Sequence, residues 1–266
     1  MNRPHLAEWI LERPEKASRG GIFLIHGSAP FNIDGKVPSV GGGRYSRHCM
    51  FKDVASGLRS VGWSVLRYSK PGVSRDHVDQ SVYATTDLDC LTQQIIRLFR
   101  HLPRRAPRIV FAFSEGTLHV QSLPLTDLDG VIMLGSIATN ISDVVKWQGG
   151  PSREDLLREL SGMNRIQMVG IDRPVGRLID EVHLSDNWRV FKAYPDLPIL
   201  ILHGAADKEV PLEQAWIWQK KLPRHRLTVA IGDGLDHCYM PPRRYDPGRL
   251  VGAVREWLDQ TFGGTS

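Results

Sequence analysis

Residues 111–120 read FAFSEGTLHV. An apolar run, Ile109 to Phe113, ends on Ser114, and Gly116 follows two residues later. The run has the composition of a buried strand, and Thr117 to Leu123 continues as a helix. A serine at such a junction is either punctuation or a nucleophile held out over the end of a sheet. The spacing favours the nucleophile. An elbow of this kind reads G-x-S-x-G, because its turn strains the serine backbone and brings strand and helix so close that the flanking positions must be small. Here it reads Ala112-Phe113-Ser114-Glu115-Gly116, with one added methyl at the first position.

Outward from this strand the pattern repeats. Ile22 to Ile25, Trp63 to Tyr68, Val131 to Leu134, Ile199 to Leu202 and Leu227 to Ile231 are further apolar runs of strand length. Between them apolar residues recur at helical spacing: Phe51, Val54 and Leu58 within residues 44–60, then Leu88, Leu91, Ile95 and Leu98 after an N-cap at Thr86 or Asp87. Pro211 suits the first turn of another helix, and Leu250, Val254, Trp257 and Leu258 mark the last one. Continuous apolar strands alternating with amphipathic helices predict an α/β fold whose mostly parallel sheet is covered on both faces.

Residues 139–196 break the rhythm. No core strand separates Leu134 from Ile199, yet Glu154 to Met163 and Leu178 to Ala193 read as helical. A structureless loop of that length is unusual, so a helical cap is expected there, inserted into a core formed by residues 1–138 and 197–266. The loop from Ser28 to Gly43 is also long and rich in Gly and Pro, and it follows the carboxyl end of a strand, where α/β sheets build their sites.

The chain has 266 residues, 41% of them hydrophobic and 24% charged, which suits one larger α/β domain able to shape a pocket without disulfides or metals. Lys and Arg outnumber Asp and Glu by 34 to 29. The clusters at Arg104, Arg105 and Arg108 and at Arg243 and Arg244 carry no interleaved aromatics, so they read as solvated faces and not as a nucleic-acid surface. Cys49, Cys90 and Cys238 are scattered and odd in number, against a disulfide framework or a zinc site. The opening stretch MNRPHLAEWILERPEK lacks a long apolar run, and Glu8 and Glu12 spoil a signal-peptide pattern. No stretch approaches the roughly 18 consecutive apolar residues of a membrane span. A cytoplasmic protein acting on a small molecule is the expectation.

A serine hydroxyl becomes a nucleophile when a base takes its proton, and the base needs an orienting acid. In this architecture the chain order is Ser, then Asp or Glu, then His. ILILHGAADKEVP places Asp207 just past the strand Ile199 to Leu202, and IGDGLDHCY places His237 past Leu227 to Ile231. Taken singly, Asp207 would be a helix cap and His237 a loop histidine. Both, however, stand at the carboxyl ends of strands, at the sheet edge that carries Ser114. Asp233 and Asp236 lie too near His237 in the chain to be its expected partner, and Asp143 is a further alternative acid. His225 precedes its strand and belongs to the opposite edge, while His26 and His203 read as structural. Cys238 has no elbow of its own. The oxyanion of an acyl-transfer intermediate needs donors worth roughly 3–4 kcal/mol each. The backbone N–H groups of Glu115 and Ser28 are the candidates. The Glu115 carboxylate would oppose an oxyanion, so it is expected to face solvent or an arginine.

With these residues in view, the sequence resembles the α/β-hydrolase superfamily over about residues 20–260, and within it bacterial serine esterases and acyl hydrolases. Their first loop, H-G-S-G-P-x-x-x-D-G, is similar to His26-Gly27-Ser28-Ala29-Pro30 with Asp34-Gly35. Their L-R-Y-D-K-R-G stretch resembles Leu66-Arg67-Tyr68-Ser69-Lys70-Pro71-Gly72, and their G-H-S-E-G elbow resembles Ala112 to Gly116. Gly204 to Asp207 and Gly234 to His237 match the family's acid and base segments. Ala29 replaces a glycine, and Phe113 replaces a histidine beside the nucleophile. The resemblance implies hydrolysis of a carboxylic ester, thioester or amide without a cofactor or metal. Phe113, Trp147 and Trp188, with Met163, Met168 and Phe191, are candidates to line the pocket. Lys36, Arg44 and Arg47 are candidates to meet an anionic group of the substrate. The rivals are an acyltransferase or lyase-type enzyme on the same triad, and a non-catalytic ligand-binding scaffold.

Overall fold

Every apolar run becomes a strand of one sheet in the computed structural model, which describes residues 8–38, 48–163, 165–168 and 171–263. The first half contains β1 (Trp9–Glu12), β2 (Gly20–Ile25), α1 (Met50–Arg59), β3 (Trp63–Tyr68), α2 (Gln80–Tyr83), α3 (Leu88–Phe99), β4 (Arg108–Phe113), α4 (Gly116–His119) and β5 (Gly130–Leu134). Then come α5 (Ile141–Trp147), α6 (Arg153–Ser161), β6 (Arg165–Met168), β7 (Ile171–Pro174), α7 (Val175–His183) and α8 (Trp188–Phe191). The chain returns through β8 (Ile199–Gly204), α9 (Glu213–Lys221), β9 (Leu227–Gly232) and α10 (Gly248–Phe262). The sheet has seven strands in the order β1-β3-β2-β4-β5-β8-β9. All pairs are parallel except β1 with β3.

Strand alternation sorts side chains between two core layers. Ile22, Leu24, Ile109 and Phe111 face one way, onto Phe51, Val54 and Leu58 of α1 and Leu250, Val254 and Trp257 of α10. Phe23, Ile25, Val110 and Ala112 face the other way, onto Leu91, Ile95 and Leu98 of α3 and Trp218 of α9. Each such side chain contributes roughly 1.5–3 kcal/mol when fully buried. The central strands β2, β3, β4, β5 and β8 are buried along their whole length, which is why they read as largely apolar runs, with Ser64 and Arg67 of β3 among the buried polar exceptions. At the start of α3 it is Asp87, not Thr86, that caps the helix, accepting the Cys90 N–H at 2.7 Å.

Three local readings are corrected. The helix after the elbow makes one turn as α4 and passes into a 3₁₀ turn at Val120–Ser122. Pro124 disfavours helical backbone at Leu123, which is extended. Pro211 lies just ahead of α9, where its carbonyl receives the Gln214 N–H at 3.0 Å. The segment between β5 and β8 is not wholly helical, since β6 and β7 form an antiparallel hairpin pairing Arg165 with Pro174 and Met168 with Ile171. Arms of four residues are too short to display a period. The same segment carries a small apolar cluster of its own, built from Leu156 and Leu160 of α6 and Val175, Leu178 and Val182 of α7.

Candidate active site

Ser114 leaves β4 with φ of 54°, in the left-handed region that costs an L-residue roughly 1–2 kcal/mol. Its N–H donates to Leu134 O at 2.8 Å, and its carbonyl accepts from Thr117 N at 2.9 Å and Thr117 Oγ1 at 2.7 Å. The conformation is thus held from both sides. Gly116 is small of necessity, because a Cβ there would stand 2.5 Å from His26 O. Ala112 tolerates its methyl because that side chain turns into the second core layer, away from the elbow.

Asp207 and His237 are brought together by two loops that touch at Gly204. A Cβ on Gly204 would lie 2.2 Å from Asp236 O and 2.3 Å from Leu235 O, so only glycine lets the loop after β9 cross the end of β8. His237 Nδ1 then donates to Asp207 Oδ2 at 2.7 Å. The other carboxylate oxygen, Oδ1, accepts the N–H groups of Glu209 at 2.8 Å and Val210 at 3.0 Å. Burial pushes the Asp207 carboxyl up. The hydrogen bond and charge of His237, with the two backbone donors, outweigh it and hold the group below the usual carboxylate range. The imidazole rests on Gly135, where a Cβ would stand 2.6 Å from His237 Cε1, and against the Phe113 ring at 4.9 Å between centroids. Gly135 directly follows Leu134, whose carbonyl holds Ser114, so all three side chains gather at one edge of the sheet. Ser114 Oγ forms no hydrogen bond to His237 among the described residues. Such contacts are often long before substrate binds.

The alternative acids fall elsewhere. Asp233 and Asp143 are exposed, and Asp236 Oδ1 accepts the N–H groups of Cys238 and Met240, shaping the turn that presents His237. His26 donates through Nε2 to Tyr68 O at 2.6 Å and stacks on Phe51 at 4.5 Å, and burial lowers its pKa to about 3. His203 donates to Val210 O at 3.1 Å and is likewise pushed down by burial. Both serve the frame of the site.

Glu115 does not face solvent. It is buried, with Oε1 3.7 Å from Lys70 Nζ and 3.9 Å from both Arg177 Nη2 and His119 Nε2. The Arg expected as a partner is there, joined by a lysine that sequence reasoning did not connect to it. Its charge is thereby balanced by Lys70 and Arg177. The shared-motif residues Asp34 and Arg67 form a second buried pair at 2.8 Å that braces the loop after β2, with Arg67 also donating to Ile33 O at 2.7 Å. Ser28 sits in that loop next to Gly27, where a Cβ would lie 3.0 Å from Ser114 Cβ.

The candidate pocket residues separate. Phe113 is buried against His237. Trp147 is 49% exposed at the end of α5, and Met163 is exposed beyond α6. The short helix α8 turns Trp188 and Phe191 into the second core layer, with Phe191 meeting Trp218 of α9 at 5.5 Å and the Trp188 ring meeting Lys221 at 4.9 Å. Lys36 is half-buried in the loop turned by Asn32. Arg44 and Arg47 lie outside the described residues, as does the side chain of Met168. Among the described residues no three His, Cys, Asp or Glu side chains group as metal ligands, and no helix is long and apolar enough to cross a membrane.

A mostly parallel sheet with a serine elbow after β4, an acid after β8 and a histidine after β9 has the α/β-hydrolase fold. No family model matches the chain. It is 23% identical over 264 residues to esterase EstD of Thermotoga maritima, a match that takes in 89% of this chain and 61% of the relative. The chain therefore spans about three fifths of the length of that curated relative. Among solved structures, Est1E from Butyrivibrio proteoclasticus with ferulic acid bound is similar at a TM-score of 0.70 and 16% identity, covering 97% of this chain and 96% of that one. The mouse alpha/beta hydrolase domain-containing protein 10 is similar at a TM-score of 0.68 and 15% identity, covering 98% and 97%.

Proposed function

We propose that the chain is a serine hydrolase that cleaves carboxylic esters or thioesters through an acyl-enzyme. Ser114 Oγ attacks the substrate carbonyl while its proton passes to His237 Nε2. Asp207 holds the imidazole with Nδ1 protonated and stabilises the imidazolium. The N–H groups of Ser28 and Glu115 receive the oxyanion. The alcohol or thiol leaves with the proton from His237. Water then gives its proton to His237, attacks the acyl carbon, and frees the acid and Ser114. In this reading residues 139–196 are the cap, Phe113 is part of the pocket wall, and Trp147 belongs to the exposed rim.

The observation that carries the reading is the strained φ of Ser114 beside a formed Asp207–His237 pair. Strain held from both sides at one polar residue is a feature of working sites, whereas a mere loop serine relaxes. A relative named an esterase and a structural neighbour that binds ferulic acid support a small ester in the site. The test is a fluorophosphonate probe, with the modified peptide mapped by mass spectrometry. Labelling at Ser114 that is lost in His237→Ala supports the hydrolase. Folded protein that takes up no probe and cleaves no ester in a panel of short esters supports the ligand-binding scaffold instead.

A further inference from the structure

Behind the loop that starts at Gly27, four charged side chains are buried together. Lys70 and Arg177 have 1% of their side chains exposed, Glu115 2% and Glu181 none. Lys70 and Arg177 share Glu115, and Arg177 Nε also lies 3.7 Å from Glu181 Oε1. Tyr83 adds its ring, 5.6 Å from the guanidinium carbon. Buried ion pairs stabilise a fold little better than a well-packed apolar cluster would. Their retention at this place calls for another account, and their donors supply one.

Lys70 Nζ donates to Gly27 O. Tyr83 OH donates to Ser28 O at 2.9 Å, and Arg177 Nη2 reaches the same oxygen at 3.4 Å. A trans peptide holds its C=O and N–H on opposite sides, and no peptide among the described residues is cis. Gly27 O and Ser28 N–H belong to one peptide. The grip of Lys70 on that carbonyl therefore turns the Ser28 N–H away from the buried cluster. Gly27 backs directly onto Ser114, and the Ser28 N–H has no acceptor among the described residues. Arg177 comes from α7, within the inserted segment, whereas Lys70 follows β3 and Glu115 follows the nucleophile.

We propose that Lys70, clamped by Glu115, is a positioning residue that holds the Gly27–Ser28 peptide with its N–H toward the oxyanion, and that Arg177 completes this hold only while α7 is docked. This rests on the serine-hydrolase reading above. The oxyanion hole is then not preformed by the sheet alone; its alignment depends on the insertion.

The experiment compares wild type with Lys70→Met, the charge-balanced pair Lys70→Met/Glu115→Gln, and Arg177→Met. Turnover of p-nitrophenyl butyrate is measured alongside two affinities: for an aryl trifluoromethyl ketone, which gives a tetrahedral oxyanion adduct, and for butyrate, which does not. The expected result for Lys70→Met and the pair is a fall in kcat of about 100- to 1,000-fold with KM nearly unchanged, the size of losing one oxyanion donor. The ketone loses affinity in parallel and butyrate does not. Arg177→Met shifts kcat and ketone affinity in the same direction by a smaller factor. Where Lys70→Met fails to fold, the charge-balanced pair decides. Wild-type kcat in a folded Lys70 variant, or equal loss of ketone and butyrate affinity, overturns the positioning role and leaves the hydrolase standing if wild-type Ser114 takes up fluorophosphonate. Wild type that neither labels nor cleaves the ester overturns both.

Discussion

Two buried polar assemblies flank Ser114, and they are built differently. On one side a single carboxylate, Asp207, accepts three hydrogen bonds between 2.7 and 3.0 Å, all from one stretch of loop and one histidine. On the other, the Lys70, Arg177, Glu115 and Glu181 side chains stand 3.7 to 3.9 Å apart and are drawn from the chain after β3, from α7 and from the elbow. Short charge-assisted hydrogen bonds fix a direction. Looser pairs of opposite charge balance a field and tie together segments remote in the chain. On the proposed mechanism the first assembly orients a proton acceptor, and the second shapes a backbone while neutralising a carboxylate that would repel the developing oxyanion.

The comparison breaks most visibly on the hydrogen-bonded side. His237→Ala is expected to lower kcat by about 10⁶-fold, since a triad acts as a unit. Asp207→Asn keeps the shape but frees the imidazole to take the wrong tautomer, and a fall in kcat of about 10⁴-fold is expected. Activity near wild type in either variant would remove the proposed mechanism.

On the ion-pair side the expected damage extends to the fold. Lys70→Met leaves Glu115 with less compensation in a buried setting, and urea unfolding should show a loss of about 3–5 kcal/mol, most of it recovered in Lys70→Met/Glu115→Gln. Equal instability of the two variants would mean that packing, not charge balance, governs the cluster.

The smallest effect sharpens the contrast through pH. His26 is buried neutral, with a pKa lowered from 6.5 to about 3. Between those values the unfolded chain binds a proton that the folded chain refuses, so stability falls as pH drops from 6.5 toward 3. Each such group adds a slope of about 1.4 kcal/mol per pH unit. His26→Phe should remove one proton's worth of that slope, read from urea unfolding between pH 7 and pH 4. An unchanged slope would assign the acid sensitivity to His203, which is also depressed by burial, or to carboxylates such as Asp207.

Much of the frame was legible in the sequence for a physical reason. Strands buried on both faces are largely apolar, so the five central strands stand out as runs. The Ser114, Asp207 and His237 positions were legible because chain order and strand ends together name an edge. The four-residue strands β1, β6 and β7 were not, since nothing that short shows a period. Nor was the partnership of Glu115 with Lys70, because an ion pair between segments so distant in the chain leaves no local pattern. Trp188 shows the opposite limit: a large aromatic between β5 and β8 reads alike in the sequence whether it lines a pocket or packs into the core layer where this one lies.

The left-handed backbone at Ser114 has a consequence for how this lineage can change. Glycine at that position would relieve roughly 1–2 kcal/mol of strain against an entropic cost of about 0.5–1 kcal/mol. Ser114→Gly should therefore be slightly more stable than wild type in urea, and inert. On the proposed mechanism, Ser114 is a residue that the fold alone would discard and that its chemistry retains. A descendant no longer selected for that chemistry gains stability by its first step away from serine, so loss of activity here would be easy to enter and hard to reverse.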